Sequence, residues 1–338
     1  MTRVEGHAGT AAVAVAAAHG VTTQFTLSGA HVFPMYDAAV NAEPPMRLLD
    51  VRHEQTAVFA AEATGKLTRV PGLAVLTAGP GVTNGVSAVA QAHFAGSPLV
   101  VIGGRAPANR WGTGSLPEID HPPIFASITK ASSTLHTPES VLPGIDAAFT
   151  TARGAHRGPV FLDIPMDAFF APAAGEVPTP FTTGETDTRH PNEEALQAIG
   201  RLIAEAERPV LVLGTDVWAD GAERAALEFV ERIGIPVITN GMGRGIVPGG
   251  HPQLVTKARG LAFNQADLVV VAGTPLDFRL GYGIFGGKDG APPAAVVHLA
   301  DAADQISHHA GPVATAAGSL ATIFELLGEA WERSAPQT

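Results

Sequence analysis

Two doubly wound α/β domains with mostly parallel sheets are the fold class that this sequence predicts. Three observations lead there. Short apolar runs without polar alternation recur at residues 72–77, 98–102, 209–213 and 268–272. Runs of this kind fit strands of a parallel sheet covered on both faces. Longer segments rich in alanine and leucine lie between them, joined by short glycine-containing turns, so that helix and strand alternate. A composition shift at 171–189, where proline and threonine displace leucine and valine, separates one alternation from the next.

Bulk properties agree. The chain has 338 residues, enough for two domains of ordinary size. Hydrophobic residues make up 46%, so each domain can fill a core, and the low charged fraction of 16% argues against disorder and for surface covered by another subunit. A net charge of -11 repels phosphate backbones and argues against nucleic acid as a partner. The absence of cysteine excludes disulfides, thiolate chemistry and cysteine-ligated zinc or iron–sulfur clusters, and is compatible with a cytoplasmic location. No apolar run approaches the length of a membrane span. Residues 11–18 are apolar and follow Arg3, yet Glu5 and His7 interrupt the lead-in and the run is alanine-rich without leucine. A folded first helix, rather than a secretory signal, is the expectation.

In the first domain, residues 11–19 predict a helix stopped by Gly20. A short strand at 24–27 leads through Ser28-Gly29-Ala30-His31 into a helix over 31–40. Residues 46–50 read as a strand, 54–68 as an alanine-rich helix, 72–77 as a buried strand, 82–95 as a helix and 98–102 as a fully apolar strand. The last strand of this domain is 159–163. The domain is expected to span 1–172, with a linker at 173–190. In the second domain, 191–333, Asn192 caps a helix through 205, with Glu194 placed to help satisfy its first turn. Strands follow at 209–213, 236–239, 268–272 and 295–299, with helices at 221–233 and 320–331.

Two places carry chemistry in the first domain. Gly79-Pro80-Gly81 leaves an apolar strand and opens a helix whose free N–H groups suit an anion or a polar ring edge. As a dinucleotide fingerprint it fails, because Asn84 stands where the third glycine belongs; a tight turn for close packing explains it equally well. Glu54 begins a helix, where a carboxylate also complements the helix dipole. His53-Glu54 is not a metalloprotease motif, since position 57 is Ala57. His308 and His309 are adjacent and point apart on regular structure, so no metal ligands are assigned. No Gly-x-Ser-x-Gly elbow and no phosphate-binding lysine loop occur.

An ordered set of motifs adds to this. Arg52-His53-Glu54-Gln55, residues 60–66, Thr77-Ala78-Gly79-Pro80-Gly81-Val82-Thr83-Asn84, Ser97-Pro98-Leu99, Thr129-Lys130 and Arg157-Gly158-Pro159 through Pro165 follow one another along the chain. Together they resemble thiamine diphosphate-dependent enzymes of the acetolactate synthase, benzaldehyde lyase and 2-hydroxyacyl-CoA lyase type. The resemblance implies a C–C bond lyase or carboligase that acts through a cofactor ylide. In such enzymes the residue matching Glu54 bonds a ring nitrogen of the cofactor's aminopyrimidine and favours its imino tautomer, which removes the thiazolium proton. That chemistry needs a carboxylate in a dry pocket, able to share a proton with the ring. Residues 77–81 would line the pyrimidine, with Asn84 close behind. The Gly29-Ala30-His31 turn is similar to that of benzaldehyde lyase, which implies that His31 moves a proton on the substrate hydroxyl. Leu116-Pro117-Glu118 departs from the family, many of whose members have glutamine where Pro117 stands.

The second domain resembles the family's central domain, implying an ADP, FAD or CoA-derived nucleotide near Gly214, Thr215, Gly241, Arg244, Asp277, Arg279 and Asp301. A local ion pair explains Asp277 and Arg279 without any ligand. A third domain, which in complete members holds Mg²⁺ and the diphosphate through a Gly-Asp-Gly segment and paired asparagines, has no match here. The expectation is a chain whose diphosphate site is completed by a further domain or a partner chain, within a homodimer or homotetramer, and which alone binds thiamine diphosphate poorly. Substrates implied are a small 2-oxo acid, an aldehyde or ketone, or an acyl-CoA. A non-catalytic nucleotide-binding or assembly subunit is the second hypothesis, and a dinucleotide-dependent oxidoreductase the third.

Overall fold

The computed structural model describes residues 2–179, 189–287, 290 and 292–335. The chain divides into two compact units, Met1–Gly184 and Glu185–Thr338.

The strands of the first unit are β1 (Thr2–His7), β2 (Thr23–Thr26), β3 (Arg47–Asp50), β4 (Gly72–Leu76), β5 (Leu99–Arg105), β6 (Ala131–Thr134), β7 (Pro159–Pro165) and β8 (Pro172–Val177). Six of them form one parallel sheet in the order β3-β2-β4-β5-β7-β6, with Val101 paired to Phe161 and Ala74 to Phe25. Every residue of β4, β5 and β7 is buried, which is why these strands lack polar alternation. Leu73, Val75 and Val100 enter a core with Met35, Ile145 and Phe149. Ala74, Leu76 and Val101 enter a core on the other face, with Val58, Val89 and Phe161. One strand thus feeds two cores, as a doubly wound sheet requires.

Several elements differ from the sequence expectation or were absent from it. Residues 172–177, assigned in part to a linker, are a strand that pairs antiparallel with the N-terminal strand, Arg3 opposite Glu176 and Glu5 opposite Ala174. Its partner lies at the far end of the unit, so no local pattern announces it. The remainder of that stretch, 180–188, lies outside the described residues. β6 is a half-exposed polar edge strand with no apolar run to mark it. The helix Pro138–Arg153 carries Pro143 inside it, a residue that normally signals a helix end. The helix expected at 31–40 begins as a 3₁₀ turn, Ala30–Val32, before Phe33–Asn41. The one expected at 82–95 is divided into Pro80–Thr83 and Val86–Ala95.

The second unit holds β9 (Pro209–Leu213), β10 (Val237–Thr239), β11 (Leu268–Ala272), β12 (Ala295–Ala300) and β13 (Ala314–Ala317), all parallel, in the order β10-β9-β11-β12-β13. Asn192 caps the helix Glu193–Glu205, its Oδ1 accepting from Ala195 N at 3.2 Å. That helix packs with Glu223–Ile233 and Leu320–Ser334 around Phe229 and Phe324, whose rings lie 5.5 Å apart. Among the described residues, no helix is long and apolar enough to cross a membrane.

Both sheets reverse their strand order. The chain passes from β2 to β3 on one side, then returns to β4 on the other; β9, β10 and β11 repeat the pattern. A crevice therefore opens beyond the carboxyl ends of β2 and β4, and another beyond β9 and β11.

The second crevice is braced by His298. It is 1% exposed; its Nε2 donates to the Thr274 carbonyl at 3.0 Å and its Nδ1 accepts from Ser307 N at 3.0 Å. Burial holds this imidazole below its ordinary pKa; the Thr274 carbonyl opposes that shift, and His308 and His309 add to it. The unfolded chain therefore binds the proton more readily, so this contribution to stability is complete above the unfolded value of about 6.5 and lost as pH falls below it. Denaturant titrations are expected to show a midpoint that declines below about pH 6.5. His298→Asn should lower that midpoint at pH 7.5 and flatten part of the decline. A wild-type midpoint unchanged down to pH 5 would contradict this.

Candidate active site

The first crevice gathers residues from four loops. Helix Glu54–Thr68 lies directly on the sheet, because a Cβ at Gly72 would sit 1.8 Å from the Ala61 carbonyl oxygen. Its N-terminus follows β3 and is capped by His53, whose Nδ1 accepts from Gln55 N at 3.2 Å. Glu54 is the first helical residue, and it is only 8% exposed. Its Oε2 accepts a hydrogen bond from Asn84 Nδ2 at 2.9 Å. Among the described residues, Oε1 takes no hydrogen bond.

Asn84 reaches Glu54 because of the turn that follows β4. Gly79 has φ +63°, in the region that favours glycine, and it turns the chain into the short helix Pro80–Thr83 that Asn84 terminates. A Cβ at Gly81 would lie 2.5 Å from Thr77 Cγ2 and 3.4 Å from Glu54 Oε1. The space beside the open carboxylate oxygen thus exists only because position 81 has no side chain. A Cβ at Gly79 would meet Pro117 Cβ at 2.4 Å, so the loop bearing the unusual proline is folded over this turn.

His31 sits in the 3₁₀ turn after β2, and its Nδ1 lies 3.2 Å from Thr77 Oγ1. The two side chains meet across the point where the strand order reverses. Burial lowers the pKa of the His31 imidazole from its ordinary value, the Leu116 carbonyl opposes this, and His121 adds to it. The structure therefore brings together Glu54, Thr77, Gly79, Gly81, Asn84 and His31, with Ala78 and Pro80 between them in the turn.

A buried network beneath the turn escaped the sequence analysis. His121 and Asp163 are both fully buried. Gly79 N donates to His121 Nε2 at 3.0 Å, and His121 Nδ1 lies 2.8 Å from Asp163 Oδ2. Arg105, at the end of β5, donates to the same oxygen at 2.9 Å and to Asp120 at 3.0 Å, while its guanidinium stacks 4.1 Å above the Trp111 ring. The available signal was Asp163 itself, an acid inside an apolar strand, which must find a partner.

In the second unit, Gly214, Thr215 and Gly241 come together. A Cβ at Gly214 would strike the Gly273 carbonyl at 2.3 Å, and one at Gly241 would strike Thr215 Oγ1 at 2.3 Å. Thr215 Oγ1 accepts from Met242 N at 3.3 Å. Arg244 lines a cavity of about 440 Å³ with Trp218, Arg224 and Met242. Asp277 and Arg279 bond to each other, with guanidinium–carboxylate distances of 2.6 to 3.1 Å. Burial alone would raise the Asp277 carboxyl, but the bonds from Arg279 outweigh it and hold it below its ordinary value. Asp301 is buried at the end of β12, and its carbonyl accepts from Arg189 at 2.8 Å.

Residues 6–124 match the family model of the thiamine pyrophosphate enzyme N-terminal TPP-binding domain, and residues 196–327 that of the central domain. The chain belongs to the thiamine pyrophosphate enzyme family. It is 45% identical over 312 residues to a probable acetolactate synthase of Mycobacterium bovis, covering 91% of this chain and 55% of that protein. It is 34% identical over 311 residues to 2-hydroxyacyl-CoA lyase 2 of Caenorhabditis elegans, covering 82% of this chain and 48% of the relative. The human 2-hydroxyacyl-CoA lyase 2 is 32% identical over 311 residues, with coverage of 82% and 49%. The chain thus spans about half the length of these relatives.

The network beneath the turn is costly to break. Arg105→Met would leave Asp163 buried without its cationic partner. The expected loss of stability is roughly 3–5 kcal/mol, read from denaturant midpoints at pH 7.5. A loss under about 1 kcal/mol would show that the pair contributes little more than an exposed one.

Proposed function

We propose that this chain forms the pyrimidine-binding and central portions of a thiamine diphosphate-dependent lyase or carboligase of 2-hydroxyacyl-CoA lyase or acetolactate synthase-like type. The observation that carries the proposal is Glu54. In a chain of this family, its side chain is buried at the crevice of the first sheet, with one oxygen bonded to Asn84 and the other, among the described residues, without a hydrogen bond beside a glycine-lined space. An open acceptor in such a place suits a ring nitrogen that carries a proton.

Thiamine diphosphate, when bound, supplies the electron sink. Glu54 Oε1 would share a proton with its pyrimidine ring, and Asn84 would keep that carboxylate aimed. Thr77, Ala78, Gly79, Pro80 and Gly81 would line the ring. His31, its imidazole favoured in the uncharged form by burial, would take a proton from a substrate hydroxyl or return it. Mg²⁺ and the diphosphate would be held by a further domain or a partner chain, in a homodimer or homotetramer with shared sites. Gly214, Thr215, Gly241 and Arg244 would receive ADP, FAD or the nucleotide of a CoA substrate, with Asp301, just past the end of β12, as a further contact; Arg279 would first have to leave Asp277. The substrates would be a 2-oxo acid, an aldehyde or ketone, or an acyl-CoA, and the setting cytoplasmic.

The test is turnover of a 2-oxo acid or 2-hydroxyacyl-CoA by this chain supplied with the diphosphate-binding portion. Glu54→Gln is expected to reduce turnover by about 100-fold or more. Unchanged turnover in that variant would remove the proposal. His31→Ala is expected to lower kcat by about 100-fold with little change in the thiamine diphosphate concentration needed for half-saturation. A rise in that concentration alone would instead place His31 in cofactor binding.

A further inference from the structure

We propose that His121 is a positioning residue for the pyrimidine-side turn, held in one tautomer by Asp163 so that its bare Nε2 fixes the Gly79 amide. The role rests on the thiamine diphosphate chemistry proposed above. Gly79 N can only donate, so the ring nitrogen that it meets at 3.0 Å carries no proton. The ring proton therefore sits on Nδ1, where it is donated to Asp163 Oδ2 at 2.8 Å. Arg105 donates to that same oxygen at 2.9 Å, while among the described residues Asp163 Oδ1 has no partner. The acid is thus anchored through one atom, and the imidazole has a single orientation.

What the imidazole holds matters for the cofactor side. Gly79 adopts φ +63° and ψ −126°, a conformation in which its amide points down into the buried network rather than along the helix. Without an acceptor there, the amide would be an unsatisfied buried donor. Two residues further on, Gly81 borders Glu54 Oε1, and Asn84 at the end of the same short helix donates to Oε2. Rotation of the Gly79 peptide would move both groups that shape the space around the carboxylate. Asp163, His121 and Gly79 therefore form a relay of orientation, not of protons, that ends at Glu54.

The test uses ¹⁵N NMR and amide exchange on this chain, followed by kinetics with the diphosphate-binding portion. In the wild type, His121 is expected to show a protonated Nδ1 and a bare Nε2. Asp163→Asn presents an amide N–H to the ring and allows the tautomer to reverse, setting two donors against each other at Gly79. The Gly79 amide is expected to exchange on the order of tenfold faster or more in Asp163→Asn and in His121→Leu. It should return near the wild-type rate in His121→Gln, whose side-chain carbonyl can replace Nε2 as acceptor. The thiamine diphosphate concentration for half-saturation should rise about tenfold in His121→Leu, with kcat at saturation changed by less than about threefold. If His121→Leu does not fold, Asp163→Asn and His121→Gln carry the comparison. A protonated Nε2 in the wild type, wild-type exchange at Gly79 in the variants, or unchanged cofactor saturation would each overturn the proposal. The exchange and tautomer readings involve no cofactor, so their failure is separate from a Glu54→Gln variant that retains full turnover.

Discussion

The first unit depends on keeping one carboxylate out of water without leaving it unanswered. Burying an acidic side chain is expensive unless it is hydrogen-bonded. At Glu54 the compensation is partial by design: Asn84 bonds Oε2 at 2.9 Å and Oε1 is left open. Much of the surrounding architecture serves that condition. The helix presses onto the sheet until a Cβ at Gly72 would clash with its backbone, which carries the acid over the crevice. The turn after β4 then brings Asn84 to one oxygen and an empty glycine position to the other.

A second layer of buried polar groups holds that turn from below. Arg105, Asp163 and His121 come from β5, β7 and the loop between β5 and β6, and they converge on a backbone amide rather than on solvent. Each of the three bonds another member or the Gly79 amide, while among the described residues Asp163 Oδ1 has no partner. Pro117 closes the turn from the other side, with its ring against Gly79. Where many members of the family are expected to have a glutamine, this chain has a rigid apolar contact that offers no side-chain amide.

The parts of this arrangement that follow from local pattern were legible. The helix Glu54–Thr68 and the strands Pro209–Leu213 and Leu268–Ala272 coincide with the sequence expectation because apolar runs, alanine content and caps act locally. What was missed depends on distant partners. β8 is a strand because the N-terminal strand pairs with it, and β6 is a polar edge beside a buried neighbour. Pro143 hides a helix that tertiary packing enforces, with Val141, Ile145 and Phe149 buried along it. The hydrogen bond between Glu54 and Asn84 was not anticipated, since the resemblance placed Asn84 only behind the turn at residues 77–81. Nor was the pairing of His121 with Asp163, since 42 residues separate them and no motif spacing links the two.

The most direct measurement is a crystal structure of this chain soaked with the free aminopyrimidine alcohol of thiamine. The ring is expected to lodge against residues 77–81, with a ring nitrogen within hydrogen-bonding distance of Glu54 Oε1 and the Asn84–Oε2 bond intact. A ring bound elsewhere, or a Glu54 side chain turned into solvent with Asn84 released, would contradict it.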